Sequence, residues 1–308
     1  MEDHPLALRF IIVVGKGGVG KSAVSAALAL SLARRGRRSL IAMCNAKERL
    51  SYLLETPPIG PQITPIAEGI DAVNMEPGAA LEEYGLMILK VRALYKMVFE
   101  NRFVSAFLRG TPGIEAWSML GKAQFHAFET LPDGRPRYDT VIVDAPATGH
   151  GLDLLRVPRV ILDVVPPGPL RRDAERAWQL FSDPSRAGVL LVTIPEEMPT
   201  NETLELDQAV RGELGLPVCG VAANMVLPRI FEPGDGALLE RVAECAGAGS
   251  PLEALAETGL RRVAREELQA ASLERLYSKI DARRFELPMI FSHDVRRAEV
   301  EVMSRALD

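Results

Sequence analysis

The feature that most constrains the fold is an apolar run followed directly by a glycine-rich loop and an Ala/Leu-rich segment. The run IIVV (11–14) precedes GKGGVGKS (15–22), which satisfies the pattern G-x-x-x-x-G-K-[ST]. Such a loop binds phosphate when a strand precedes it and a helix follows it, because backbone N–H groups and the helix N-terminus then face the anion. The stretch therefore predicts a phosphate-binding loop near the start of an α/β fold.

The residue types in this loop suggest separate roles. Lys21 is expected to reach the β- and γ-phosphates of a nucleotide, and the Ser22 hydroxyl is expected to ligate Mg²⁺. The competing interpretation is a glycine-rich turn without a ligand, and the strand–loop–helix context argues against it. Further nucleotide contacts are predicted from Gly15, Gly17, Gly18, Val19, Gly20 and Ala23.

An acidic residue closes a second apolar run, YDTVIVD (138–144). The carboxyl ends of parallel strands meet at one edge of a sheet, so Asp144 is expected beside the phosphate loop, where it would hold the metal through water. A helix-capping aspartate is the competing interpretation. We predict a metal site at Ser22 and Asp144, because the two occupy compatible positions of one site.

Buried strands alternate with helices along the rest of the chain. Apolar runs without in–out alternation are typical of a parallel sheet covered on both faces. Strands are predicted at 6–14, 39–44, 138–146, 187–195, 217–226 and 285–291, with two more within 63–75. Helices are predicted at 22–35, 151–165, 169–182, 200–214 and 236–281, the last interrupted near 247–250. We predict an α/β protein with one domain, residues 1–308, and a mostly parallel sheet flanked by helices. A helical elaboration is predicted at about 79–130.

Composition excludes several classes of protein. The chain has 308 residues, of which 47% are hydrophobic and 25% charged, and its net charge is −5. This is the balance of a soluble globular protein, and it gives no reason to expect nucleic acid as a partner. The acidic start MEDHPLALRF does not resemble a signal peptide, and the longest apolar stretches fall short of the roughly 20 residues that span a bilayer. We expect a cytoplasmic protein without stable membrane insertion.

The cysteines give little support to metal or disulfide chemistry. Cys44, Cys219 and Cys245 are far apart, and none of them has C-x-x-C spacing. We expect small hydrophobic side chains in a reducing compartment, with neither a disulfide framework nor a zinc site.

The loop, with its additional Lys16, resembles the deviant phosphate loop shared by the ParA, MinD, nitrogenase iron protein and ArsA/Get ATPases. The stretch DAPATGHGLDLL (144–155) resembles the second switch of the ArsA/Get branch in particular. Other segments of that branch are similar to TPGIEAW (111–117), TIPEEMPTNETLEL (193–206), AANMVLP (222–228) and LPMIFSHDVRR (287–297). The resemblance therefore runs from residue 11 to about residue 297, and it implies the fold of a P-loop NTPase.

The resemblance implies an ATPase that binds ATP and Mg²⁺ between two subunits, as a homodimer or as a heterodimer with a paralogous ATPase. Lys16 would reach across the interface to the partner's nucleotide, because Lys21 and the loop amides already surround the phosphates of its own subunit. Asn224 and the backbone near Pro288 would hold the adenine. Other nucleotide contacts are implied for Pro146, Thr148, Gly149, His150 and Asp294.

The first switch departs from the family pattern. An aspartate that orients the attacking water corresponds here to Asn45, which cannot accept a proton. Loss of a positioned base typically costs about 10²–10⁴-fold in rate, so slow hydrolysis is predicted. Glu48, three residues further on, could substitute. The catalytic residues predicted are Lys16, Lys21, Asn45 and Asp144.

Alternative functions remain open at this point. A catalytically weak ATP-binding subunit could serve an active paralogue. A targeting chaperone with a hydrophobic protein client is favoured by the apolar segment 84–108 and by an adaptable surface at Met75, Met87, Met97 and Met119, although ordinary helix packing explains the same pattern. The short segment between His150 and Thr193 disfavours the chaperone. A DNA partitioner and a membrane switch are disfavoured by the net charge and by the weakly amphipathic C-terminus.

Overall fold

The computed structural model describes residues 4–44, 48–89, 113–146 and 148–308. Within them, one sheet has the strand order β3-β4-β2-β5-β1-β6-β7-β8. The strands are β1 (Phe10–Gly15), β2 (Ser39–Cys44), β3 (Thr64–Ala67), β4 (Ile70–Met75), β5 (Thr140–Asp144), β6 (Ala187–Thr193), β7 (Val218–Val226) and β8 (Arg284–Pro288). Neighbouring strands are parallel except for the edge pair β3–β4, which is antiparallel. The predicted α/β class with a mostly parallel sheet is confirmed.

Helices cover both faces of this sheet. They are α1 (Lys21–Arg34), α2 (Leu50–Leu54), α3 (Pro77–Leu89), α4 (Ile114–Phe128), α5 (Thr148–Val164), α6 (Pro169–Phe181), α7 (Glu197–Gln208), α8 (Asp235–Cys245), α9 (Pro251–Lys279) and α10 (Arg297–Arg305). A π-helical turn (Ala209–Glu213) extends α7. One apolar cluster joins the sheet to α1, α2 and α10, and a second joins it to α4, α5, α6 and α7. Strands β1, β2 and β6 are therefore buried along their whole length, as their apolar sequences predict.

Several strand ends differ from prediction; β5 spans Thr140–Asp144 and not 138–146, and β6 ends at Thr193 and not at residue 195. The first strand begins at Phe10 rather than at residue 6, because the preceding residues form a turn in which the Ala7 N–H donates to the His4 carbonyl at 2.8 Å. Leu6 is fully buried, so its apolar character reflects packing of this turn and not strand pairing. The last strand ends at Pro288, three residues earlier than predicted.

The structure corrects one proposed feature of the surface. Met75 and Met119 are buried in the core beside the sheet, with exposed fractions of 1% and 5%, and cannot form an adaptable docking surface. Residues 90–112 lie outside the described residues, so the helical elaboration at 79–130 and most of the apolar segment 84–108 stay predictions. Among the helices that are described, none is long and apolar enough to cross a membrane.

Candidate functional site

The phosphate loop connects the carboxyl end of β1 to the first residue of α1. Three glycines give it its shape. Gly18 and Gly20 have φ angles of 87° and 90°, which strongly favour glycine. A Cβ on Gly15 would lie 2.1 Å from the Val192 carbonyl oxygen of the neighbouring strand β6. The loop therefore packs closely against the sheet and leads its backbone into the N-terminus of α1.

The Lys21 side chain folds back onto this loop and contacts its first two residues. Its ammonium group donates hydrogen bonds to the carbonyl oxygens of Gly15 at 3.0 Å and of Lys16 at 3.1 Å. Burial lowers the pKa of Lys21, while the nearby carboxyl of Asp144 opposes that shift. The side chain thus holds a positive charge across the mouth of the loop, where a phosphate chain would bind.

Ser22 and Asp144 meet as predicted from the sequence. Strand β5 lies next to β1 with Asp144 opposite Val13, and the Ser22 hydroxyl donates to Asp144 Oδ2 at 2.6 Å. Asp144 is 1% exposed, and its Oδ1 has no hydrogen-bond partner among the described residues. Burial raises the pKa of Asp144 to about 6, although the Ser22 hydrogen bond and Lys21 both oppose the shift. A buried carboxylate oxygen without a partner, next to a hydroxyl, fits the oxygen ligands and water that Mg²⁺ prefers.

Lys16 has a partner within its own chain. Its ammonium donates to Glu202 Oε1 at 2.5 Å, and the two side chains are 30% and 32% exposed. Glu202 lies on α7, which follows the neighbouring strand β6. Analysis of the sequence assigned Glu202 no role, and the only signal was its place in the family-like segment TIPEEMPTNETLEL. The structure therefore adds this acid to the site.

Asn224 anchors the phosphate loop. Its side-chain amide donates from Nδ2 to the Val19 carbonyl at 2.9 Å, and the residue is 3% exposed. A Cβ added to Gly20 would lie 2.3 Å from the same nitrogen, so the glycine also provides space for this contact. Nδ2 is thus engaged by the loop, and the predicted contact of Asn224 with adenine stays a prediction.

Pro288 and Asp294 lie further along the chain. Pro288 ends β8 opposite Val226 and lines a cleft of about 1220 Å³ between the sheet edge, α8 and α9. Asp294 accepts a hydrogen bond from the Tyr52 hydroxyl at 2.6 Å and therefore contacts α2. These contacts leave the predicted nucleotide roles of both residues untested.

The switch segments are described in part. Thr148, Gly149 and His150 form the first turn of α5, just after Asp144 and Pro146. Asn45 lies outside the described residues. Both carboxylate oxygens of Glu48 accept hydrogen bonds from Ser51, at 2.8 Å from its N–H and at 2.5 Å from its hydroxyl. In this structure Glu48 therefore stabilises the start of α2.

A phosphate loop between the first strand and helix of a parallel sheet, with an aspartate at the end of the neighbouring strand, defines the class of P-loop nucleotide-binding proteins. The family model described as anion-transporting ATPase matches residues 8–166, which include the loop, Asp144 and the start of α5. The chain belongs to this ArsA-type ATPase family. Membership supports nucleotide binding and ATPase activity in general.

Curated relatives agree with this assignment. The ATPase BagA of Mycobacterium tuberculosis is 30% identical over 233 residues, which cover 74% of this chain and 68% of that protein. An arsenical pump-driving ATPase of Escherichia coli is 27% identical over 254 residues, or 76% of this chain and 43% of that protein. A protein of the same name from Acidiphilium multivorum is 25% identical over 235 residues, or 71% of this chain and 40% of that protein. The chain thus spans less than half the length of these two pump ATPases.

Proposed function

We propose that this protein is a cytoplasmic Mg-ATP-dependent switch in which ATP closes a dimer and slow hydrolysis opens it. The observation that carries the proposal is the contact between Ser22 and buried Asp144 at the end of a loop closed by Lys21. When bound, Mg²⁺ would neutralise charge on the phosphate oxygens, held by the Ser22 hydroxyl and, through water, by Asp144. Residues 1–308 are proposed to form one ATPase domain.

Lys16 is proposed to act on the nucleotide of the partner subunit. In the single chain its ammonium is held by Glu202 at 2.5 Å, so closure of the dimer would have to break this ion pair. The released lysine would then neutralise charge that develops on the partner's γ-phosphoryl group, as an arginine finger does. Glu202 would therefore compete with the partner's phosphates for the same cation.

We propose slow hydrolysis because Asn45 replaces the aspartate that orients the attacking water in the family pattern. Glu48, the acid considered as a substitute, is engaged by both donors of Ser51. This contact supports a reaction without a positioned carboxylate near the attacking water, and hence a long-lived ATP-bound state.

A second candidate function is a catalytically weak ATP-binding subunit that serves an active paralogue in a heterodimer. The observation in its favour is the asparagine at position 45, where the family pattern has an aspartate. In a heterodimer, a paralogue that keeps the aspartate would hydrolyse ATP in its own site, while this chain would only bind ATP. The argument for a targeting chaperone is weaker than the sequence indicated, because Met75 and Met119 are buried and cannot contact a client. That some relatives are named arsenical pump-driving ATPases does not show that this chain acts on arsenite.

Calorimetric titration with Mg-ATP tests the proposal. Lys21→Ala is expected to abolish measurable binding, because the ammonium that meets the β- and γ-phosphates is gone. Arg135→Ala is a matched control, since it removes a cation whose side chain is 79% exposed in a distant loop. Unchanged affinity in Lys21→Ala would contradict the assignment of the phosphate loop.

A further inference from the structure

A second basic site lies at the opposite edge of the sheet from the phosphate loop. Helix α1 begins at the loop and ends at Arg34, and its 14 residues correspond to about 20 Å of helix. There the ends of α1 and α10 and the β3–β4 turn enclose a groove of about 560 Å³. Its charged lining is Arg34, Arg37, Arg38, Arg297 and Arg305, against Glu68 and Glu301. We refer to it as the arginine groove.

Carboxylates neutralise only part of this charge. Arg34 donates to Asp308 Oδ2 at 2.7 Å, and Arg297 donates to Glu301 at 3.2 Å. Among the described residues, no carboxylate lies within ion-pair distance of the side chains of Arg37, Arg38 and Arg305. Three arginines that form no ion pair with a described carboxylate therefore line one groove, in a chain whose net charge is −5.

The guanidinium group of Arg37 is held by backbone carbonyls and not by a carboxylate. One terminal nitrogen donates to the backbone carbonyls of Ala7 at 3.2 Å and Asp139 at 3.4 Å, both long contacts. Its Nε is buried and has no hydrogen-bond partner among the described residues. Buried donors are normally satisfied, so the described residues satisfy the donors of this guanidinium only in part.

Basic side chains at this end of α1 also act on His4. His4 is buried next to α1, and its pKa is lowered to about 4, first by burial and then by Arg35, with smaller contributions from Arg37 and Arg34 against the opposing effect of Asp308. The mouth of the groove is open, because a Cβ on Gly36 would meet no atom within 4 Å. A ligand can thus approach without displacing side chains there.

We propose that the arginine groove binds a phosphate group of a second ligand, separate from the nucleotide of the phosphate loop. Guanidinium groups present planar pairs of donors that match phosphate oxygens, and several of them around one concave site are typical of phosphate recognition. The phosphate belongs either to a small phosphorylated molecule or to an anionic phospholipid headgroup. The chemistry is the same in both cases, and the experiment below distinguishes the two sources.

Phosphate-binding assays on the full chain test this site. Inorganic phosphate is titrated by calorimetry at low salt, and sedimentation with phosphatidylglycerol–phosphatidylcholine vesicles is compared with phosphatidylcholine vesicles alone. All measurements use the Lys21→Ala background, which removes binding at the phosphate loop. The double variant Arg38→Gln/Arg305→Gln changes two exposed side chains. The control Arg135→Gln/Arg261→Gln makes the same change of charge at side chains that are 79% and 69% exposed elsewhere.

We expect the double variant to weaken binding about 10-fold or more and the control to change it less than about 2-fold, since bidentate contacts and not net charge carry the interaction. If the double variant loses binding of inorganic phosphate, the ligand is a soluble phosphorylated molecule. If it loses binding only to vesicles that contain phosphatidylglycerol, the ligand is a lipid headgroup. Three results would overturn the proposal: no binding of either probe in the Lys21→Ala background, equal binding by the double variant, or equal weakening by the control. Failure of nucleotide binding would leave this result unaffected, because the two sites are assayed separately.

Discussion

At the scale of single residues, Asn45 is proposed to set the rate of hydrolysis. An amide orients a water but cannot accept its proton, so Asn45→Asp is expected to raise the ATPase rate by roughly 10-fold or more, up to about 10²–10⁴-fold. The affinity for Mg-ATP should change little, because the family resemblance assigns this position to the attacking water and not to the phosphates. Steady-state hydrolysis and calorimetry on the same preparation measure the two quantities.

Two results would contradict this role of Asn45. The natural protein could already hydrolyse ATP at a rate that Asn45→Asp does not improve, which would identify another base. Glu48→Gln then serves as the matched variant, because it keeps hydrogen bonding to Ser51 while it removes the carboxylate. Alternatively, Asn45→Asp could stay inert, which would show that the altered switch has also lost the closed geometry.

His4 makes folding stability depend on pH. Its Nδ1 accepts from the Leu6 N–H at 2.9 Å, so the neutral ring carries its proton on Nε2, which lies 2.8 Å from Ser31 Oγ. Burial lowers its pKa in the folded chain from 6.5 to about 4. The unfolded chain therefore binds the extra proton first as the pH falls through 6.5, and stability is lost progressively down to about pH 4.

We expect this residue to lower the free energy of unfolding by about 2 kcal/mol between pH 7 and pH 5. Urea unfolding of the natural protein and of His4→Gln at both pH values measures the contribution as a difference, so that other titrating groups cancel. The variant should show the smaller loss. An identical loss in both proteins would mean that His4 is not held neutral by the fold.

At the scale of elements, closure of the proposed dimer would have to rearrange the contact between the phosphate loop and α7. Glu202→Gln removes the charge that holds Lys16, and partly exposed ion pairs contribute about 0.2–1 kcal/mol. We therefore expect ATP-dependent dimerisation to tighten by roughly 1.5- to 5-fold for each subunit. Analytical ultracentrifugation with ATP measures this, and exposed Glu205→Gln on the same helix is the matched control. Weaker dimerisation of Glu202→Gln would place Glu202 in the closed interface instead.

At the scale of the whole molecule, ATP is expected to produce a compact dimer that needs Lys16. Lys16→Ala should still bind ATP through Lys21, but it should lose the compaction of the dimer on ATP binding, which small-angle scattering measures at protein concentrations where the dimer is present with and without ATP. Lys279→Ala, which removes an exposed lysine at the end of α9, should compact normally. Normal compaction of Lys16→Ala would show that this lysine does not act on the partner subunit.

The sequence predicted those parts of the fold and site whose signal is local. Apolar runs gave the buried strands, and the glycine pattern placed Lys21 and Ser22 at the start of a helix. Asp144 could be placed beside Ser22 because Asp144 ends β5 and Ser22 follows the loop after β1. The carboxyl ends of parallel strands meet at one edge of the sheet, whatever the length of chain between them. The start of β1 was predicted too early, because a buried turn and a buried strand require the same apolar residues.

By itself, the sequence determined the α/β class, the phosphate loop and the position of Asp144 beside it, since each depends on a short stretch with a fixed geometry. Only the tertiary structure decided which distant residues meet that loop. Glu202 lies 186 residues from Lys16, and Asn224 lies 205 residues from the Val19 carbonyl that it holds. The arginine groove likewise joins the end of α1 to α10. Such contacts depend on the order of strands in the sheet and on the packing of helices over it, which burial of apolar surface across the whole chain determines and no local pattern records.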